Sequence, residues 1–538
     1  MSIAQKLIAI NDAKTAIAVA IEAKGVQVGA APFADYADKI AAIAGTGGGG
    51  DDNLDYVRPA DWLTLPAVGA TEQVFHGLHA VFPHQSNFAT VQAQGAYTVD
   101  WGDGSSPENY ASGVTAYHEY DYSAISPGTA CSRGYRQVIV TLAPQAGQSL
   151  SQVNLSVKHN KTTLQASSSQ WLDIRLALNN DGTVTLRGSS WMPMLLEQFD
   201  WIGNNAQTSF SSFFNSCYSL QSVPNLYTGS TNNSPSNMFA SCFSLRRAPE
   251  IDFSGFQYIS SMFLNCYALV EIPAYDFSNV VNMQNAFQNC YSLRSVPTLN
   301  TQSLTHLGYA FDGCRSLLAS PIGNTSTAYF FNYTYRGCSS LVSVEHDLAG
   351  ASNCSYMFNN CTTLRSVTLT NTGGVTNFSY MFDGCYNLAV APQLDTSAGT
   401  NFARMHYANA TLVVGGSYAT GLGTDFGNMY AQCTSLAHVP TMDVSSCVTT
   451  TETGTVGIQA LFTSCPNLGG AVLQGAQRKC SIASCSFSPA AIVAFFNGLA
   501  DLTGNTSRLV TITNNWGAAL LTQAERNIAL NKNWTITG

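Results

Sequence analysis

MFDGCYNLAVAPQLDTSAGTNFARM, residues 381–405, begins and ends on a methionine, and the two methionines are 24 residues apart. The cysteines keep the same interval. They stand at 217, 242, 266, 290, 314, 338, 361 and 385, separated by 25, 24, 24, 24, 24, 23 and 24 residues. Cys433 lies two periods beyond Cys385, with Asn409 in the slot between, and Cys465 follows after 32 residues, which makes eleven units. Three residues before each slot stands an aromatic ring: Phe214, Phe239, Phe263, Phe287, Phe311, Tyr335, Phe358, Phe382, then His406, Tyr430 and Phe462. Three residues after it stands a leucine, from Leu220 to Leu468, and seven after it a proline recurs, as at Pro224, Pro249, Pro273 and Pro297.

A period of this length, held by apolar residues, implies a solenoid in which each unit is one coil and like residues stack on like. The repeat core is therefore expected at Phe239, Cys242, Leu245, Phe263, Cys266, Leu269, Phe287, Cys290 and Leu293 and their equivalents, over 205–487. One thiol per coil suits a small filler of a buried column, so the cysteines are expected free. Disulfides between adjacent coils are the alternative. Open coil ends need covers. We assign 161–204 as the N-terminal cap, with strands about an Asn-Asn-Asp-Gly turn, and 488–538 as an α/β C-terminal cap. In the latter, Ser488-Pro489 starts one helix and Thr522 with Glu525 forms the capping box of a second. "RLVTITNN" and "NWTIT" read as strands.

The consensus M-F-x-x-C-x-x-L-x-x-x-P, with residues 381–405 as its fullest copy, resembles the BspA-type leucine-rich repeat. The resemblance implies a leucine-rich-repeat solenoid that binds rather than catalyses, as in adhesive surface proteins and phage tail proteins. Asn409, His406 and the long unit before Cys465 depart from the pattern.

Ahead of the repeats the pattern changes. Ile3, Leu7, Ile10, Ile17 and Ile21 recur at helical spacing among alanines, and Pro32 opens a second helix with Phe33, Tyr36, Ile40 and Ile43 on one face. This helical hairpin, 1–44, is too small to bury a core alone and should dock or oligomerise. A glycine-rich linker, 45–54, follows. "MSIAQKLIAI" and "AIEAKGVQVGAAPFADYADKIAAI" resemble the N-terminal segments of tailed-bacteriophage tail and fibre proteins. Residues 55–160 read as a β-sandwich around the turn Asp100-Trp101-Gly102-Asp103-Gly104, where the glycines free the backbone and the acids cap it. With His118, Tyr120 and Gly134-Tyr135, this turn resembles a PKD domain, which implies an immunoglobulin-like spacer or contact module. The expected fold class is thus multidomain and mainly β.

Only 10% of the residues are charged, the net charge is −9, and no lysine occurs between Lys161 and Lys479, so no nucleic-acid partner is expected. No apolar run is long enough to span a membrane. No Walker loop, GxSxG or HExxH motif occurs, so no catalytic residue, metal or cofactor is assigned. The acids Asp252, Asp276, Asp395 and Asp443 each sit ten residues after a cysteine, which marks a turn cap. Tyr218, Phe243, Tyr267, Tyr291 and Tyr386 directly follow their cysteines. Such a line of rings suits sugar stacking, or else is a packing ladder that joins the coils. The expected function is a virion tail fibre or receptor-binding protein made in the host bacterial cytoplasm. Its head would meet other virion proteins as a homo-oligomer, with a trimer favoured. Its repeats would meet a host surface glycan or protein. A decoration protein, a glycan depolymerase and a bacterial adhesin are the alternatives.

Overall fold

The structure is a computed structural model. It describes residues 55–538 apart from 70, 84–86, 161–167, 169, 179–181, 187–194, 204–208, 225, 227–233, 324, 449–456 and 459. The expected helical head, 1–44, and linker, 45–54, lie outside the described residues. The chain divides into two compact units, Met1–Asn279 with Asn289–Pro297, and Val280–Gln288 with Thr298–Gly538.

The first unit begins with a two-sheet sandwich. Its strands are β1 (Val74–Val81), β2 (Asn87–Gln94), β3 (Tyr97–Asp100), β4 (Glu108–Tyr110), β5 (Thr115–Tyr120), β6 (Arg136–Pro144), β7 (Gln152–Asn154), β8 (Trp171–Ala177), β9 (Thr183–Thr185) and β10 (Gln198–Ile202). One sheet runs β10-β8-β1-β6-β3-β4 and the other β5-β2-β7-β9. The sheets face each other, since Tyr120 of β5 donates its hydroxyl to the Trp101 carbonyl beyond β3 at 3.0 Å and lies against the His79 ring of β1. β1 is central and buried along nearly its whole length. Gly77 lies on it because a Cβ there would stand 2.5 Å from the Trp171 ring.

The Asp100–Gly104 turn forms as read. Asp100 caps the Gly102 N–H at 2.9 Å and Asp103 caps Ser105 at 3.0 Å. Gly102 has φ +76°, and a Cβ would meet the Ile139 carbonyl at 2.3 Å. Asp103 also bonds His118 at 2.7 Å, and the His118 ring stacks on Trp101.

The boundary expected at residue 160 is corrected by the strand pairing. β8 pairs antiparallel with β1, and β9 pairs parallel with β7. Residues 171–185 thus complete the sandwich rather than form a separate cap. β10 pairs parallel with β8 and bridges from Gln198 to Ser222 in the first coil. Among the described residues, the sandwich sheet meets the open coil edge through β10.

Within each unit the repeat columns stack. In the first, Phe214, Phe239 and Phe263 lie 5.2 and 5.4 Å apart between centroids, nearly parallel. In the second, Phe287, Phe311, Tyr335, Phe358 and Phe382 continue at 5.3–5.8 Å. The cysteines do more than fill space. From Cys242 to Cys465, each column thiol donates to the carbonyl of the aromatic residue one coil earlier, as Cys266 to Phe239 at 3.1 Å, Cys361 to Tyr335 at 3.0 Å and Cys385 to Phe358 at 3.1 Å. An alanine would pack but leave that buried carbonyl one donor short. Two residues per coil take positive φ, one just before the cysteine and one five before it; Asn, Ser and Gly fill most of these slots, as the left-handed region prefers.

The second unit carries the short strands β11 (Ser343–Asp347), β12 (Ser366–Thr370), β13 (Met442–Asp443) and β14 (Leu473–Gln474), and ends in β15 (Cys480–Ser481), β16 (Arg508–Thr511) and β17 (Trp534–Thr537), the last three joined in a parallel sheet. Parallel neighbours need crossovers, and α1 (Pro489–Gly498) and α2 (Gln523–Leu530) supply them. Ser488 caps α1, and Thr522 with Glu525 closes the capping box of α2. Lys532 donates to the carbonyls of Phe496, Asn497 and Leu499 at 2.8–3.1 Å, which satisfies the C-terminal end of α1.

All fifteen cysteines are free; fourteen are buried and Cys131 is partly exposed. Burial holds the column thiols, such as Cys266 and Cys361, far above the ordinary thiol range. A maleimide is therefore expected to modify Cys131 in the native chain and the other fourteen only on denaturation. Rapid native labelling of the column, read by peptide mass, would contradict the packed column.

Candidate functional site

The residue five places after each cysteine forms a ladder of parallel bridges. In the first unit it runs Arg247–Glu271–Ser295, and in the second Ala319–Ser343 and Val390–Val414–His438–Gly470. The pair β11 (Ser343–Asp347) and β12 (Ser366–Thr370) widens it. Parallel pairing in register puts like positions in one row, so a property of the column becomes a property of a surface.

That surface differs between the two units. In the first it lines an open groove of about 560 Å³, bounded by Asp55, Tyr56, residues 221–224, 247–250 and 271–273, and Ser295 and Pro297. Arg247 bridges two acids there, with Nε 2.7 Å from Glu271 and Nη1 3.1 Å from Asp55. Tyr56 and Gln221 both donate to Glu197 beneath, at 3.4 and 3.0 Å, and Arg133 pairs with the same carboxylate. In the second unit exposed apolar side chains stand at several positions of the ladder and of the row before it, interrupted by Ser343, Arg365 and Ser366. Leu318 is 59% exposed, Val390 73%, and Val413 and Val414 48% each.

The aromatic column expected to bind sugars is a stack. Tyr218, Phe243, Tyr267 and Tyr291 lie 4.7, 4.9 and 4.9 Å apart, tilted by 5–13°. Both faces of Phe243 and of Tyr267 are covered by neighbouring rings, so a pyranose has no face to lie on at either of these two. Between the two readings left open, the geometry favours the packing ladder. Tyr386 stands apart from the four in this respect. It is 46% exposed, and its column continues into Thr362 and Ala410, which offer no ring.

A second aromatic column escaped the sequence reading. Tyr309, Tyr333, Tyr356 and Tyr380 stack at 4.4, 4.4 and 4.2 Å, tilted by only 6–9°. Their signal was present, since each stands five residues before its cysteine. All four have φ of 57–60°. A left-handed conformation costs a bulky residue on the order of 1–3 kcal/mol. The coil before uses Asn285 at the same slot, the coil after Arg404, and the next one Asn428. Arg336 lies over Tyr333 at 4.8 Å and forms a bidentate pair with buried Asp312, both contacts 2.8 Å. Arg404 lies over Tyr380 and pairs with buried Asp383 at 2.9 Å.

Residues 196–294 and 263–389 match the family described as "BspA type Leucine rich repeat region", in six copies. These are BspA-type leucine-rich repeats. Residues 352–456 also match the family described as "Mycoplasma protein of unknown function, DUF285". No curated protein matches the chain. Among solved structures, the chain is similar to a leucine-rich repeat protein from Bacteroides ovatus, at 13% identity and a TM-score of 0.26, over 56% of this chain and 91% of that one. It is also similar to TLR13 in complex with ssRNA13, at 11% identity and a TM-score of 0.20, over 61% and 53%. A third is the plant peptide hormone receptor RGFR1 with RGF2, at 12% and 0.20, over 62% and 56%. The chain spans about half the length of these last two.

The departures from the leucine-rich-repeat consensus compensate one another. Asn409, in the cysteine slot, accepts from the Cys385 N–H at 3.1 Å and meets His406 Nδ1 at 3.3 Å. His406, in the phenylalanine slot, bonds the Tyr418 hydroxyl through Nε2 at 2.9 Å. Each polar replacement thus satisfies the other inside the core. His346 is similarly placed against Tyr335 at 2.9 Å. The repeat acids cap turns as expected: Asp252, Asp276, Asp395 and Asp443 each accept the N–H two residues on, at 2.9–3.0 Å. Among the described residues, no group of three or more His, Cys, Asp or Glu side chains is placed to hold a metal ion.

Proposed function

We propose that the chain is a non-catalytic surface-binding protein whose repeat ladder contacts a macromolecule on a cell surface. The observation that carries this is the exposed apolar patch that Val390, Val413 and Val414 form on two adjacent coils of the second unit's ladder. Contiguous exposed apolar surface marks an interaction site more often than chance. The histidines nearest to catalytic chemistry support binding over turnover. His346 and His406 are buried in the core and committed to neighbours. We place the protein on a virion tail, where a PKD-like sandwich acts as spacer and the head, 1–44, joins other virion subunits. That placement rests on sequence resemblance. Many copies on one particle would turn weak contacts into avidity.

Binding of the full chain to a panel of intact Gram-negative and Gram-positive cells tests this. A saturable signal on some of them is expected. The double substitution Val390→Glu with Val414→Glu, at exposed sites, should reduce it about tenfold or more while the melting temperature stays put. Undiminished binding by the variant would remove the ladder from the mechanism. New reducing ends released from the bound surface would identify a depolymerase instead.

A further inference from the structure

The tyrosine column of the second unit lies ten residues along the coil from the ladder, and nothing in the proposed ladder contact uses it. Three features set it apart from ordinary packing. First, four consecutive coils hold a bulky ring at a left-handed position that Asn285 fills in the coil before; Arg404 fills it in the coil after, and Asn428 one coil further on. Backbone outliers of this kind cluster where a surface has work to do. Second, the rings are only half-buried. Stacking uses up the faces between coils and brings the hydroxyls side by side, in a row that repeats once per coil. Third, the two guanidinium groups over the column are already matched to buried carboxylates, Arg336 to Asp312 and Arg404 to Asp383.

These features select a ligand chemistry. A phenol both donates and accepts hydrogen bonds, and burial together with the neighbouring phenols holds the Tyr356 hydroxyl protonated far beyond neutral pH. The ring rim carries the positive edge of the aromatic quadrupole, so it favours oxygen over apolar groups. The matched ion pairs leave the strip without net charge, and the chain carries −9 overall, which disfavours an anionic polymer. A partner rich in hydroxyls, uncharged and regular along its length meets all of these conditions. Four equivalent contacts on one polymer then add.

We propose that Tyr309, Tyr333, Tyr356 and Tyr380 form a strip that binds a neutral polysaccharide running along the stack of coils, through the row of phenol hydroxyls. Cellohexaose, chitohexaose and linear dextran are suitable probes, with the full chain followed by titration calorimetry. At least one is expected to bind. The double variant Tyr333→Phe with Tyr356→Phe keeps the rings and removes two hydroxyls, and should weaken binding about tenfold or more with an unchanged melting temperature. The variant Tyr356→Asn takes the residue that the left-handed slot prefers, and should fold normally while losing affinity. Affinity should change less than about twofold between low salt and about 0.5 M salt, because no net charge is matched. Three results would overturn the strip: no binding of any probe, equal binding by the phenylalanine variant, or a steep fall with salt. Because the glutamate variant of the ladder leaves these tyrosines intact, loss of cell binding there with retained oligosaccharide binding separates the two surfaces.

Discussion

Replacing Phe358 by alanine should cost about 3–5 kcal/mol of stability, the range for removing a fully buried phenylalanine. Phe358 has no exposed surface. Its ring lies between Tyr335 at 5.8 Å and Phe382 at 5.6 Å, parallel to both within 8°. The cavity left behind cannot collapse easily, because each coil is tied to its neighbours by backbone hydrogen bonds, as from the Phe358 N–H to the Met381 carbonyl at 2.9 Å. In a repeat array stability resides in the contacts between neighbouring coils, so one lost ring weakens two interfaces at once. Urea denaturation followed by circular dichroism measures the loss. The matching control is Tyr386→Ala, at an exposed ring, which should shift stability by no more than about 0.5 kcal/mol. Equal effects of the two substitutions would mean that the phenylalanine column is not the core of the coils.

That column was readable in the sequence because its information is local and repeated: a ring and a leucine at fixed offsets in eleven units, with a thiol between them in all but the Asn409 unit. What the thiol does was not readable. Its partner is a main-chain carbonyl one coil away, as with Cys385 and Phe358, and no side-chain pattern encodes a carbonyl. The orientation of Tyr218, Phe243 and Tyr267 was beyond reach for a similar reason. Spacing shows that rings share a column but not whether their faces meet each other or the solvent. The column Tyr309 to Tyr380 could have been found by the same periodicity, had the slot five before the cysteine been tabulated. The sandwich boundary failed for a different reason. β8 lies beside β1, about ninety residues earlier, with Ile174 opposite Gly77, and nothing local in "WLDIRLA" announces so distant a partner. The exchange of Cys for Asn409 and Phe for His406 first reads as decay of the repeat. In three dimensions it is one compensated change, because the two side chains meet.

That compensation makes the second unit acid-labile. Burial lowers the pKa of His346 to about 4 and that of His406 to about 3, against an ordinary value of 6.5. In the first unit His79 is lowered to about 3 by the same cause. The unfolded chain protonates these rings near 6.5, while the folded chain resists until far lower. Between those limits the unfolded state binds more protons, so stability rises with pH. The contribution is therefore complete above about 6.5. It falls by up to about 1.4 kcal/mol per pH unit for each imidazole as the pH drops toward the folded values. The exposed turn acids, among them Asp252 and Asp395, are held below the ordinary carboxylate range by hydrogen bonds from Ser254 and Ser397. They lose stability only in more acid solution, so the span from pH 6.5 to about 4.5 excludes them, while buried Asp173 and Asp383, raised by desolvation, work against the histidines. Urea midpoints across that span should fall steadily for the native chain. His406→Phe restores the repeat consensus but takes one buried hydrogen-bond partner from Asn409 and one from the Tyr418 hydroxyl, so it should lower stability at pH 7.5 by about 1–3 kcal/mol. It should also flatten the acid slope, because one titrating ring is gone. A native chain whose midpoint stays level through this span would show that its buried histidines already carry their protons at neutral pH, and that the polar contacts inside the coils are built around imidazolium instead.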